Sequence, residues 1–222
     1  MSDITTPIAA TSTAKVRFIT GASRGFGLEI ARAALARGDR VVATARRPET
    51  ITATLGEHDN LLGVALDVTS EAQAIAAADA AVARFGRIDV LVNNAGYGLL
   101  GAVEEASAQE VEHQFATNVF GLLAVTRAVL PSMRLQRSGH ILNISSVGGY
   151  AAYPGWGVYG ATKFAVEGLT PKRWLRNWRR WASVPPWSNP ASSAPISSMP
   201  ARWSAPARRS RPTPKRSVPC AS

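Results

Sequence analysis

At 222 residues, with 46% apolar and 18% charged positions, the chain is long enough for one sizeable α/β core and too short for two. Its net charge of +10 is unevenly spread: residues 1–170 hold 14 Lys+Arg against 15 Asp+Glu, whereas residues 171–222 hold 11 Lys+Arg and no acid. A single cysteine, Cys220, excludes an intrachain disulfide, and no run of about 18 apolar residues marks a membrane span.

The opening stretch MSDITTPIAATSTA has neither a basic n-region nor an apolar h-region, so residues 1–14 are expected to form a flexible leader and the protein to be cytoplasmic. VRFIT (residues 16–20) is a short apolar run ending in a glycine-rich turn, and LEIARAALARG follows with apolar residues at helical spacing. RVVATA (40–45) predicts a second strand and LLGVALDV (61–68) a third. Residues 71–85 predict an alanine-rich helix capped by Thr69 or Ser70. DVLVNNAG predicts a fourth strand running into a loop, residues 108–134 one long helix, and HILNIS (140–145) a fifth strand. Strands alternating with helices at this spacing predict a doubly wound parallel sheet of the α/β, Rossmann-like class. The continuous apolar character of VRFIT, LLGVAL and DVLV suits strands covered on both faces.

After Thr170 no period persists. The segment 171–222 carries 10 of the 14 prolines and 5 of the 6 tryptophans, and its Pro/Arg/Ser/Trp-rich composition predicts disorder. Residues 15–170 are therefore expected to form the folded α/β domain, the one to which the motifs below assign dinucleotide binding and catalysis. His58, His113 and His140 stand apart from any cysteine or carboxylate at ligand spacing, so no metal site is expected.

The first strand ends in TGASRGFG (20–27). Glycines here let the backbone turn tightly and approach a pyrophosphate, while the following helix aims its N-terminal amides at the phosphates. Between a first strand and a first helix this is a strong dinucleotide signal. A tyrosine and a lysine at i and i+4, as in YGATK (159–163), share one helix face, and a nearby ammonium favours the phenolate form, making Tyr159 a usable acid or base.

These motifs resemble the short-chain dehydrogenase/reductase family. The glycine spacing is similar to its TGxxxGxG pattern. NNAG (93–96) matches its motif after the fourth strand, Asn118 lies where its catalytic asparagine does, NISS (143–146) matches its serine motif, and YGATK its YxxxK. Ser146 and Tyr159 are 13 positions apart, the family's common offset, which favours Ser146 over Ser145. The resemblance covers about residues 16–170 and implies catalysis by Asn118, Ser146, Tyr159 and Lys163. In it Ser146 would hold the substrate oxygen, Tyr159 would exchange the proton, Lys163 would bond the nicotinamide ribose and Asn118 would anchor a relay water. It further implies cofactor contacts from Gly21, Ser23, Arg24, Gly25, Phe26, Gly27, Asp67, Val68, Asn94, Ala95, Gly96, Tyr159 and Lys163.

Cofactor choice is read after the second strand. An acid there would bond an adenosine 2′-hydroxyl, but in VVATARRPE the position is Ala45, followed by Arg46 and Arg47, which with Arg24 would attract a 2′-phosphate. NADP is favoured over NAD. Tyr97, Leu99, Val147, Tyr153 and Trp156 are expected along the near side of the cleft, which suggests a small apolar alcohol or carbonyl substrate. Family dimers and tetramers pair the long helix and the Tyr/Lys helix, so the intact relative would be a homo-oligomer.

The family pattern breaks after EGLT, where a sixth strand, a Pro-Gly turn and a substrate loop are due and PKRWLRNWRRWASV stands instead. A slip of reading frame in a G·C-rich gene accounts for both the loss and the composition. Joining the third base of each codon to the first two of the next constrains the original residues wherever the single tryptophan codon occurs. Trp181–Ala182 then forces Gly, and a consistent choice over 171–184 yields EALAKELAPLGIR, an amphipathic helix. The same operation further on permits EPG and RTDFLDA, similar to the family's turn and substrate loop. The basic, aromatic tail is the sole basis for a nucleic-acid or membrane-surface partner, and it has no recognisable module, so neither is expected.

Overall fold

The computed structural model describes residues 14–170; the expectations of a flexible leader before them and of a disordered tail at 171–222 lie outside the described residues. Five parallel strands form one sheet: β1 (Val16–Ile19), β2 (Arg40–Ala45), β3 (Leu61–Ala65), β4 (Val90–Asn93) and β5 (His140–Asn143), in the order β3-β2-β1-β4-β5. The doubly wound α/β expectation is met. Side chains alternate across the sheet with the two-residue period of a strand. Phe18, Val42 and Leu91 face one core with Val125 and Val129, while Ile19, Val41, Ala43 and Val92 face the other with Ala31 and Ala34. Full burial of side chains such as Phe18 and Ile19 is worth about 1.5–3 kcal/mol each.

Six α-helices connect and flank the strands among the described residues. Helix α1 (Gly25–Ala36) follows β1, and the chain leaves it through Gly38 at φ +79°. Helix α2 (Glu49–Leu55), which the periodicity does not predict, starts at Pro48 and ends at Gly56, φ +77°. Of the two caps considered for α3 (Glu71–Phe85), Ser70 is the one used: its hydroxyl accepts the Gln73 N–H at 3.3 Å. Ser107 and Glu110 form a reciprocal capping box at the start of α4 (Ala108–Phe115).

The long helix is not uniform. Between α4 and α5 (Leu122–Gln136) the turn is π-helical over Ala116–Gly121, a widening associated with functional sites. There Gly121 approaches the β3–α3 connection so closely that a Cβ would lie 2.8 Å from Val68 Cγ2. The span Ala108–Gln136 is long and apolar enough to cross a bilayer. However, Val119, Leu122, Val125, Val129 and Met133 are buried within the protein, the placement of a core helix. The last helix, α6 (Gly157–Leu169), carries the Tyr/Lys pair.

Strand β3 departs from the expectation of cover on both faces. Among the described residues it is an edge strand, paired by β2 on one side, and its residues are half-buried or exposed. It is also three residues shorter than LLGVALDV, since after the Leu66 N–H bond to the Ala45 carbonyl the chain turns at Asp67. Strand β5 is likewise paired only by β4 among the described residues, and Leu142 is exposed there.

Candidate active site

All the predicted site residues lie at or beyond the carboxyl ends of the strands, where an open parallel sheet leaves its crevice. The loop after β1 turns through Gly21 (φ +65°) and Gly25 (φ +57°), conformations that residues with a Cβ rarely adopt. A Cβ on Gly27 would run into the Gly21 carbonyl and the Asn94 amide, so loop, helix and NNAG segment close on one another through glycine alone. No side chain caps α1 and no acid occupies its first turn, which leaves its leading N–H groups for a ligand anion. Gly25 opens to clear space, with nothing within 4 Å of a notional Cβ. Ser23 is half-buried, Arg24 exposed, and Phe26 exposes 77% of its surface. This cradle fits a dinucleotide phosphate.

Arg46 and Arg47 project from the end of β2 and are exposed, next to buried Ala45. Across from them Asp67 accepts the Thr69 hydroxyl at 2.7 Å and the Thr69 N–H at 3.0 Å. Those bonds outweigh its partial burial and, with the charge of Arg46, hold the Asp67 carboxyl below the usual carboxylate range. Val68 beside it is buried.

The NNAG segment is tied to the glycine loop. Asn94 Nδ2 donates to the carbonyls of Thr20 (2.9 Å) and Gly21 (3.1 Å), and the N–H groups of Asn94 and Ala95 both donate to Thr20 Oγ1 at 2.9 Å. Asn93 points instead across the sheet, donating to Asn143 Oδ1 and Thr126 Oγ1. Gly96 lies against Asn118: a Cβ there would be 3.0 Å from Asn118 Oδ1.

Asn118, 3% exposed, spends its side chain inside the protein. Its Oδ1 accepts the Tyr97 N–H, and its Nδ2 donates to the Tyr97 carbonyl and to Thr162 Oγ1 on α6. The geometry gives it the part of a clamp between the π turn, the 96–98 segment and α6.

Ser146 caps the short turn Val147–Gly149, its hydroxyl accepting the Gly148 N–H at 3.2 Å. That turn packs on α6 at Gly148 and Gly160: a Cβ on Gly160 would lie 3.2 Å from the Gly148 carbonyl, and one on Gly148 3.7 Å from the Gly160 Cα. Lys163 is 8% exposed; its ammonium donates to the Ile144 carbonyl at 2.7 Å and lies 5.8 Å from the centre of the Tyr159 ring. Burial pushes the Lys163 ammonium below the usual lysine range. Gly98 backs the Tyr159 ring, and Trp156 meets that ring edge-on at 5.8 Å. Serine turn, tyrosine and lysine are thus brought to one place. Tyr97, Val147 and Tyr153 are exposed, while Leu99 and Trp156 are half-buried. Trp156, Tyr153 and Phe164 also line an apolar cavity of about 240 Å³ along α6.

Three supporting residues escape a motif reading. Thr20 and Thr162 lie inside quoted motifs, but their hydroxyls act as hubs, Thr162 donating to the Tyr159 carbonyl while accepting from Asn118. Gln114 has only its i, i+4 spacing to Asn118 as a signal. Among the described residues no group of three or more His, Cys, Asp or Glu is placed to hold a metal ion.

The family model described as short chain dehydrogenase matches residues 15–178. The chain is 46% identical over 158 residues to Oxidoreductase BOA17 of Botryotinia fuckeliana, covering 70% of this chain and 58% of that protein. A short-chain dehydrogenase from Streptomyces avermitilis superposes with a TM-score of 0.68 at 46% identity, over 72% of this chain and 59% of the other. ElxO with NADP bound (TM-score 0.67, 35% identity, 71% of this chain, 65% of the other) is similar too. So is a 3-ketoacyl-(acyl-carrier-protein) reductase from Brucella melitensis complexed with NADH (TM-score 0.67, 35% identity, 70% and 67%). The chain spans about three fifths of the length of the first two relatives. On this match the chain belongs to the short-chain dehydrogenase family of oxidoreductases.

Proposed function

We propose that this chain carries the cofactor-binding and catalytic part of an NADP-dependent oxidoreductase that interconverts an apolar alcohol and its ketone or aldehyde. The observation that carries the reading is the placement of Tyr159 and buried Lys163 on one face of α6, with the Ser146 turn packed on that helix. In the reduction direction the Tyr159 phenol gives its proton to the forming alkoxide, and the Ser146 hydroxyl holds the same oxygen. The Lys163 ammonium, fixed by the Ile144 carbonyl, favours the phenolate left behind. Asn118 keeps the 96–98 segment against α6 and so keeps Tyr159 in register. When bound, the nicotinamide cofactor supplies or accepts the hydride. Gly21, Gly25 and Gly27 with the α1 amides would hold its pyrophosphate, Asp67 and Val68 would flank its adenine, and Lys163 would reach its ribose.

Solved relatives hold either NADP or NADH, so the choice of nucleotide rests on this chain's own residues. Ala45 offers no acid to a 2′-hydroxyl, and exposed Arg46 and Arg47 offer two cations to a 2′-phosphate. A charge-assisted bond of this kind is worth about 1.5–3 kcal/mol, roughly tenfold or more in affinity. Fluorescence titration should show tighter binding of NADPH than NADH, and Arg46→Asp should erase or reverse the preference. Equal affinity in the parent chain overturns the assignment.

The exposed aromatic residues Tyr97 and Tyr153 with Trp156 and Val147 favour an apolar substrate. We further propose that the codons after Thr170 are read out of frame, which removes the far wall of the substrate cleft and leaves this form impaired in turnover. Support comes from the composition break at Thr170 and from the family-like sequence that the shifted codons permit.

A further inference from the structure

We infer that Gln114 is a positioning residue for this site, its side-chain amide pinning the Tyr97 carbonyl and through it the 96–98 segment that backs the Tyr159 ring. The inference rests on Tyr159 being the acid or base of the proposed reaction. Gln114 is fully buried on α4, one helical turn before Asn118 and on the same face. Its Nε2 donates to the Tyr97 carbonyl at 2.5 Å, and Asn118 Nδ2 donates to the same oxygen at 2.9 Å. Both lone pairs of that carbonyl are therefore engaged, while the Tyr97 N–H is held by Asn118 Oδ1. The Tyr97 backbone is held at three points, two on its carbonyl and one on its N–H, although the residue is 45% exposed, so the anchor acts on backbone and not on the side chain.

The consequence reaches the phenol by contact. Gly96 sits against Asn118, and a Cβ at Gly98 would lie 3.7 Å from Tyr159 Cδ2. The segment is thus packed between the Gln114/Asn118 helix face on one side and the Tyr159 ring on the other. Gln114 also has a buried Oε1 with no hydrogen-bond partner among the described residues. Turning the amide over would set that oxygen against the Tyr97 carbonyl, acceptor against acceptor, so the orientation is determined by the donor. A leucine would bury no orphan acceptor. What glutamine supplies here and leucine could not is the N–H that the Tyr97 carbonyl accepts.

The test uses the full 222-residue chain with ¹³Cζ-labelled tyrosine, assigned by single Tyr→Phe changes. Gln114→Met keeps length and removes the donor; it should shift the Tyr97 and Tyr159 signals while leaving Tyr150 in place. Gln114→Glu should behave as a switch. As the neutral acid it donates its O–H to the Tyr97 carbonyl and should give the parent spectrum; as the carboxylate it repels that carbonyl and should give the Met-like spectrum, reversibly with pH. The parent chain should show no such transition. Tyr97 and Tyr159 signals unchanged in Gln114→Met, or Gln114→Glu matching Gln114→Met at every pH, would overturn the inference, since a residue that merely fills space gives no donor-dependent switch. A parallel NADPH titration of the parent chain separates the two ideas: failure to bind would count against the proposed function while the tyrosine spectra still judge Gln114.

Discussion

Gly27→Ala tests the closest approach in the nucleotide cradle. Gly27 is buried in the first turn of α1, where a methyl group would meet the Gly21 carbonyl and the Asn94 amide. Both are backbone-anchored, because Asn94 Nδ2 is held by the Thr20 and Gly21 carbonyls at 2.9 and 3.1 Å. In an unobstructed helix the change would stabilise by up to about 1 kcal/mol through glycine's lost entropy. Overpacking costs about 1–3 kcal/mol, and displacing Asn94 forfeits up to two bonds at about 1 kcal/mol each. The net expectation is destabilisation by about 1–3 kcal/mol, read as a lower urea midpoint with an unchanged slope. Because the Gly21 turn must move away from the helix start, NADPH affinity should fall about tenfold or more in a fluorescence titration. For the stability readout alone Gly25→Ala is the control: its methyl meets no protein atom within 4 Å, so the cost is that of φ +57°, about 1–2 kcal/mol. A Gly27→Ala chain as stable as its parent and binding NADPH equally well would refute the close-packed cradle.

Asp39 is 4% exposed and accepts the Lys15 N–H at 2.9 Å and Arg17 Nε at 2.6 Å. Burial opposes its charge, but those bonds and the nearby guanidinium groups of Arg17 and Arg37 win, leaving its carboxyl below the usual range. A depressed carboxylate contributes stability above its unfolded value of about 4 and loses it as pH falls through the lower folded value. Asp39→Asn should therefore cost about 1.5–3 kcal/mol at pH 7 and progressively less in acid by chemical denaturation; a pH-independent cost would refute the ion pair's part. Restoring the frame at the Thr170 codon should raise carbonyl-reductase turnover from near zero, and Tyr159→Phe in the restored enzyme should abolish it without loss of NADPH binding. Substantial turnover in that variant would refute the proton-transfer assignment, and a gene with a clean frame across Thr170 would refute the slip.

The limits of a sequence reading show at particular residues. The strands β1, β2 and β4 are legible because apolar runs between glycine-rich or polar turns leave few alternatives, and α3 because Ser70 and Gly86 mark its ends. Helix α2 is less so: seven residues containing three threonines have weak helical propensity, and the signals are Pro48 before it and Gly56 after it. The π turn at Ala116–Gly121 has no sequence signature. It arises where Gly121 meets Val68 and Asn118 reaches both Tyr97 and Thr162, contacts between segments far apart in the chain.

Sequence by itself determined residue types and spacings at this site: glycines where φ is positive, Tyr159 and Lys163 on one helix face, and Arg46 and Arg47 after the second strand, on which the proposed NADP preference rests. These are local properties, set by backbone sterics and helical period. Tertiary structure alone decided which backbone groups those side chains hold. It gave Lys163 to the Ile144 carbonyl, and both Asn118 and Gln114 to the Tyr97 carbonyl, with Gln114 Oε1 unpaired among the described residues. Hydrogen-bond partners across 17 to 44 positions of sequence depend on how helices settle on the sheet, and that depends on the packing of both cores at once.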